Sequence, residues 1–256
     1  MLLNSKIYGE GNHNLIVLHG FLGMSDNWKS YAKKMSENDF KVHLIDQRNH
    51  GDSFHNNEFN YEIIADDLKY YITHHDLNKF SLIGHSMGGK AAMIFGSLFP
   101  SYIDKLIVVD ILPFYKKNDF KSILESLIKL DFNTIKSRKQ ADSELESSIP
   151  NKSLRGFLLK SLHWKNKMEL QFKFNLRVLY KNLNEIEKAL PKNLIYKQKT
   201  LFIRGEKSDY IIDSEVENLD KHFTDFQLMT IANAGHWVQA ENPVEFQEKT
   251  LFFLKS

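Results

Sequence analysis

Apolar residues along this chain fall into two alternating patterns. Short runs in which most positions are apolar occupy residues 14–18, 40–45, 80–83, 105–109, 200–203 and 226–231. Strands covered on both faces require such runs, because successive side chains point to opposite faces and each face must then be apolar. Between them lie stretches with helical spacing, clearest at 26–37, 61–75, 87–98, 214–223 and 243–255. In 61–75, Ile64, Leu68 and Tyr71 stand at i, i+4 and i+7, which puts them on one stripe of a helix. The alternation predicts an α/β fold: a mainly parallel sheet flanked by helices. The rhythm breaks between Pro113 and Pro191, where only helical patterns such as 120–130 and 154–162 occur and no strand is evident. The predicted organisation is a core of residues 1–112 and 191–256, with a helical cap inserted at 113–190 as a lid.

The bulk composition adds three constraints. At 256 residues, 42% hydrophobic and 26% charged, the chain is an ordinary globular sequence long enough for a large buried core. It holds no cysteine, which excludes disulfides, thiolate metal sites and cysteine nucleophiles. No apolar run approaches the roughly 18 residues of a membrane helix, and Met1 to Lys6 turns polar at once, so a cytoplasmic protein is expected. The net charge of +2 conceals an asymmetry, because residues 113–199 carry 19 basic against 9 acidic side chains. That excess reads as a solvated lysine-rich surface, or as a field that draws in anionic substrates. No aromatic-studded basic groove accompanies it, so nucleic acid is not expected as a partner.

The chemistry concentrates in a few turns. Gly84-His85-Ser86-Met87-Gly88-Gly89 follows the apolar run 80–83 and opens the helical stretch 87–98. A G-x-S-x-G sequence in that setting makes a strand-to-helix turn that lifts the serine hydroxyl above the sheet edge and aims a helix N-terminus at it. Ser86 is therefore the candidate nucleophile. A serine hydroxyl needs a base within hydrogen-bond reach. Of 11 histidines, His236 in Ala234-Gly235-His236-Trp237 is the one that directly follows the last strand run. His19-Gly20-Phe21-Leu22-Gly23 follows the first run and can offer a backbone N–H to a developing oxyanion, which assigns that role to the amides of Phe21 and Met87.

Six segments in order carry a resemblance. They are His19 to Gly23, Asp26-Asn27-Trp28, Asp46-Gln47-Arg48-Asn49-His50-Gly51-Asp52-Ser53, Gly84 to Lys90, Val109-Asp110-Ile111-Leu112-Pro113, and Gly235-His236-Trp237. The chain resembles the α/β-hydrolase superfamily along its whole length, and its YbfF-type esterase branch in particular. The resemblance implies a carboxylic-ester or acyl-thioester hydrolase with a helical cap, acting on a small-molecule substrate without metal or cofactor. Many such hydrolases take the acid of the triad from G-x-x-D after the penultimate strand. Here that stretch reads Gly205-Glu206-Lys207-Ser208-Asp209, with serine where the aspartate would fall. The resembled branch is similar to hydrolases that take the acid one strand earlier, which favours Asp110 and leaves Asp209 as the alternative.

Leu22, Trp28 and Trp237 are expected to line the substrate pocket. Arg48 is named with them because a guanidinium can hold an anionic group bidentately, although pinning neighbouring loops is its favoured role. An apolar yet basic cap suits an acyl chain with an anionic head, such as acyl-CoA. Two rival readings stand beside the esterase. One is a menaquinone-pathway lyase of the same fold, similar around His19 to Gly23 and Ser86 to Gly89, which eliminates pyruvate. The other is a non-catalytic binding module.

Overall fold

A computed structural model describes residues 1–117, 119–166 and 169–256. In chain order its strands are β1 (Ser5–Tyr8), β2 (His13–Leu18), β3 (Phe40–Ile45), β4 (Phe80–His85), β5 (Ile103–Val109), β6 (Leu162–Trp164), β7 (Leu170–Phe172), β8 (Thr200–Gly205) and β9 (Phe226–Ile231). Seven of them form one sheet in the order β1-β3-β2-β4-β5-β8-β9. Every neighbouring pair is parallel except β1 with β3. The helices are α1 (Lys29–Ser36), α2 (Tyr61–His74), α3 (Met87–Leu98), α4 (Phe120–Ile128), α5 (Arg138–Leu145), α6 (Lys152–Lys160), α7 (Leu176–Lys181), α8 (Leu183–Glu187), α9 (Asp213–Val216), α10 (Val238–Glu241) and α11 (Pro243–Lys255).

The continuous apolar runs have the predicted cause. Leu15 and Val17 of β2, Ile107 and Val109 of β5, and Leu201 and Ile203 of β8 pack with Trp28, Tyr31 and Phe246 on one side of the sheet. Ile16, Leu18, Leu106, Val108 and Phe202 pack on the other, with Leu68 and Tyr71 of α2 and Met93 and Phe95 of α3. A polar residue at any of these positions would bury an unsatisfied group on one face or the other. Among the described residues no helix is long and apolar enough to cross a membrane.

The segment 113–190 departs from the sequence expectation. It holds α4 to α8 and adds no strand to the main sheet, but it is not wholly helical. Residues 162–164 and 170–172 pair as a separate antiparallel hairpin. The helical pattern expected at 154–162 stops at Lys160, where the Ser161 hydroxyl turns back to the Leu158 carbonyl and the chain becomes extended. Strands of three or four residues, β1 included, carry too little periodicity to be read from sequence. The helix expected at 26–37 opens instead as a 3₁₀ turn, Ser25–Trp28, before α1, and 214–223 is two short turns of helix.

Candidate active site

The glycines around Ser86 are needed because backbones meet there. A Cβ on Gly84 would lie 2.2 Å from the Gly88 carbonyl oxygen, and one on Gly88 would lie 2.5 Å from that of Leu18. With β4, β2 and the first turn of α3 so close, Ser86 is bent to φ 52°, ψ −117°. That conformation costs a non-glycine residue on the order of 1–3 kcal/mol. Its amide donates to the Val109 carbonyl at 2.9 Å, tying the turn to the end of β5. The residue that follows β5 is Asp110, also at positive φ (52°), and its amide donates to the Ile203 carbonyl of β8 at 2.7 Å. Leu22, at φ 59°, is the third non-glycine residue of this neighbourhood in the left-handed region. Strain held in place by strand-end hydrogen bonds therefore concentrates where the candidate residues gather.

Asp110 is fully buried, and its carboxylate is fully engaged. Oδ1 accepts from the Gly205 amide at 3.2 Å, and Oδ2 accepts from His236 Nδ1 at 2.8 Å and from the Ser208 hydroxyl at 2.5 Å. Because Nδ1 must carry the proton to donate to a carboxylate, His236 Nε2 is left with a lone pair. The ring is held flat against Tyr210, centroids 3.8 Å apart, and the His236 carbonyl accepts from His85 Nε2 at 2.8 Å. Burial, with the nearby Asp110 charge second, pushes the Tyr210 hydroxyl up to about 12, so it stays neutral in that stack.

The structure places the two candidate acids differently. Asp209 lies exposed, with its backbone carbonyl taken by Lys116, whereas the carboxylate on His236 belongs to Asp110. Ser208 occupies the position of the missing G-x-x-D aspartate and bonds to the carboxylate that comes from β5 instead. The two loops converge on one point, so either could supply a carboxylate there, and a serine with an aspartate fills the space of one acid. Ser208 was legible only as an anomaly, and Tyr210 and His85 gave no local signal.

Ser86 and His236 line a single small cavity, about 40 Å³, with Gly20, Phe21, Leu22, Trp28 and Trp237. Phe120, Ile123, Leu154, Phe157 and Leu158 of the segment 113–190 roof it, and Phe157 packs on Trp237 with ring centroids 5.3 Å apart. A narrower cleft of about 10 Å³ opens beside Ser86, between Met87, Tyr61, Lys116 and Tyr210. The amides of Phe21 and Met87 donate to no group among the described residues, although both residues are buried. The Leu22 amide, by contrast, is taken by His50 Nε2 at 3.2 Å. Among the described residues no group of three or more histidine, aspartate or glutamate side chains is arranged to hold a metal ion.

Arg48 is not a pocket residue. Its guanidinium forms a buried bidentate pair with Asp67 of α2, 2.5 and 2.8 Å, and donates to the Glu58 carbonyl. It ties the 46–53 loop to α2 and reaches neither cavity beside Ser86. Breaking the pair strands a carboxylate at 11% exposure. Arg48→Met is expected to lower unfolding stability by about 3–5 kcal/mol in urea titration, and a loss under about 1 kcal/mol would contradict this account.

His19, His50 and His85 surround the site fully buried, and burial holds all three below the ordinary imidazole value; His43, buried away from the site, falls to about 4 for the same first cause. The unfolded chain takes up these protons near pH 6.5 and the folded one does not, so folding stability is lost as pH falls from 6.5 towards 4. The urea midpoint is expected to be lower at pH 5 than at pH 7; an unchanged midpoint would contradict it.

A sequence profile of the α/β hydrolase fold family matches residues 14–243. A putative esterase/lipase of Haemophilus influenzae is 37% identical, over 90% of this chain and 78% of its own length. Esterase YbfF of Escherichia coli is 31% identical, over 91% of this chain and 89% of its own. A solved marine microorganism esterase superposes with a TM-score of 0.95 at 38% identity, covering 98% of this chain and 99% of its own. With this sheet order, this serine turn and these relatives, the chain belongs to the α/β-hydrolase fold family, among its esterases.

Proposed function

We propose that the protein hydrolyses carboxylic esters through an acyl-serine intermediate, with Ser86 as nucleophile, His236 as base and Asp110 as the acid of the triad. The observation that carries this reading is the convergence on one cavity of Ser86, an imidazole oriented by a buried carboxylate, and two undonated amides. Ser86 Oγ attacks the ester carbonyl while His236 Nε2 takes its proton. The oxyanion that forms is held by the amides of Phe21 and Met87, which cost no reorganisation because neither has another partner among the described residues. The intermediate collapses with cleavage of the carbonyl–oxygen bond, and the departing alcohol takes the proton from His236. Water, deprotonated by the same imidazole, then releases the acid and restores Ser86.

Residues 113–190 act in this proposal as the cap over the core formed by 1–112 and 191–256, since their apolar side chains roof the larger cavity. The acyl group occupies that cavity, and the leaving group departs through the cleft beside Lys116 and Tyr210. Acyl-CoA is the thioester that suits both an apolar roof and the basic excess of 113–199. Neither cavity beside Ser86 has an arginine among its described lining residues, so no observation favours the lyase.

A fluorophosphonate is expected to label the protein once, on the peptide containing Ser86; labelling elsewhere, or none, overturns the proposal. On a panel of aryl esters and acyl-CoAs, kcat/KM for acyl-CoA is expected to fall as ionic strength rises, while that for neutral esters stays level. Equal salt responses would remove acyl-CoA and leave the esterase standing.

A further inference from the structure

The 46–53 loop is a sequence motif that the reaction above does not use, yet it grips the oxyanion turn at two points. We propose that His50 is a positioning residue for that turn, acting through the Leu22 amide; the inference rests on the oxyanion role given above to Phe21. Residues Gly20 to Gly23 form a tight turn closed by the Gly23 amide on the Gly20 carbonyl at 3.0 Å. Leu22 stands third in it at φ 59°, where a turn requiring positive φ ordinarily places glycine. A leucine there is strained, and its amide, in a residue only 1% exposed, must find a partner.

His50 supplies that partner. It is wholly buried, and its Nδ1–H donates to the Arg48 carbonyl at 3.0 Å, so Nε2 carries the lone pair that accepts from Leu22. One residue earlier in the turn, the Phe21 amide donates to no group among the described residues. The grip is doubled at His19, whose Nε2 accepts from the Gln47 amide at 3.1 Å and whose carbonyl accepts from Gln47 Nε2 at 2.6 Å. The loop is itself anchored from behind. Arg48 is paired with Asp67, and the Asn49 carbonyl accepts from the Asn175 amide at 2.8 Å at the start of α7. Loss of the acceptor on Nε2 frees the strained Leu22 peptide to relax, and the adjoining Phe21 amide moves with it. His50 lines neither cavity, so it reaches the reaction only through this turn.

His50→Phe keeps ring volume and removes the acceptor, and His50→Gln restores an acceptor oxygen. With an aryl ester, His50→Phe is expected to lower kcat about 30-fold with KM within about twofold, a partial version of losing an oxyanion donor. The inhibition constant of an alkyl boronic acid, whose tetrahedral serine adduct places an oxygen in the same hole, is expected to weaken by a similar factor. His50→Gln should recover most of both. A folded His50→Phe protein with unchanged kcat and boronate affinity overturns the inference. So does a loss confined to KM. Should His50→Phe not fold, ¹⁵N NMR of the histidine-labelled wild-type protein decides, because a protonated His50 Nε2 cannot accept from Leu22. Ser86→Ala run alongside separates the two readings: if it stays active, the serine mechanism has failed, whereas an inactive Ser86→Ala with a wild-type His50→Phe defeats this inference alone.

Discussion

Ser86→Ala is expected to lower kcat for an aryl ester by about 10⁶-fold, and His236→Ala by a similar factor. The double variant is expected to be no worse than either single one. The reason lies in how the two groups depend on each other. Without His236 the Ser86 proton has nowhere to go, and without Ser86 Oγ the lone pair on His236 Nε2 has no alcohol to activate. Each substitution therefore removes the same step. What survives is binding in the cavity and the amides of Phe21 and Met87, which can still stabilise attack by water. Single-turnover kinetics with the three variants measure this. Losses that multiply in the double variant would mean that Ser86 and His236 act separately, and a Ser86→Ala protein within tenfold of wild type would exclude the acyl-serine route.

The second large effect falls on the acid. Asp110→Asn is expected to cost about 10⁴-fold in kcat, with Asp209→Asn within about twofold of wild type. Asparagine preserves the shape of the buried site, but its amide can donate to Nδ1 and so drive the proton to Nε2. That tautomer presents a donor to Ser86 where an acceptor is needed. Ser208→Ala removes one charge-assisted hydrogen bond from the carboxylate, worth about 1.5 kcal/mol, and is expected to cost about tenfold. Circular dichroism of each variant verifies that the fold is retained. If Asp209→Asn abolishes turnover and Asp110→Asn does not, the assignment of the acid is wrong, whatever the hydrogen bond at 2.8 Å suggests.

Local sequence was enough for whatever depends on a few neighbouring residues meeting one environment. The six apolar runs became strands because a strand covered on both faces admits no polar position, and Met87–Leu98 became a helix with the bounds its pattern gave. Gly84, Ser86 and Gly88 were legible because a sharp turn between strand and helix has few chemical solutions. His236 stood out because it directly follows the last strand run, and the fold brings it to the same cavity as Ser86. The acid was not decided in that way. Asp110 and Ser208 lie 98 positions apart, and which of two converging loops supplies the carboxylate is set by how β5 and β8 end side by side. Arg48 could be read as a ligand or a pin until the packing of α2 placed Asp67 against it. His50 stood within a resembled segment, but nothing local marked it out, because the contact proposed for it is one lone pair directed at an amide 28 residues away. Composition and periodicity report what each segment must bury. Only the assembled tertiary structure settles which buried polar groups find one another, since that pairing is made across strands and loops that the chain brings together last.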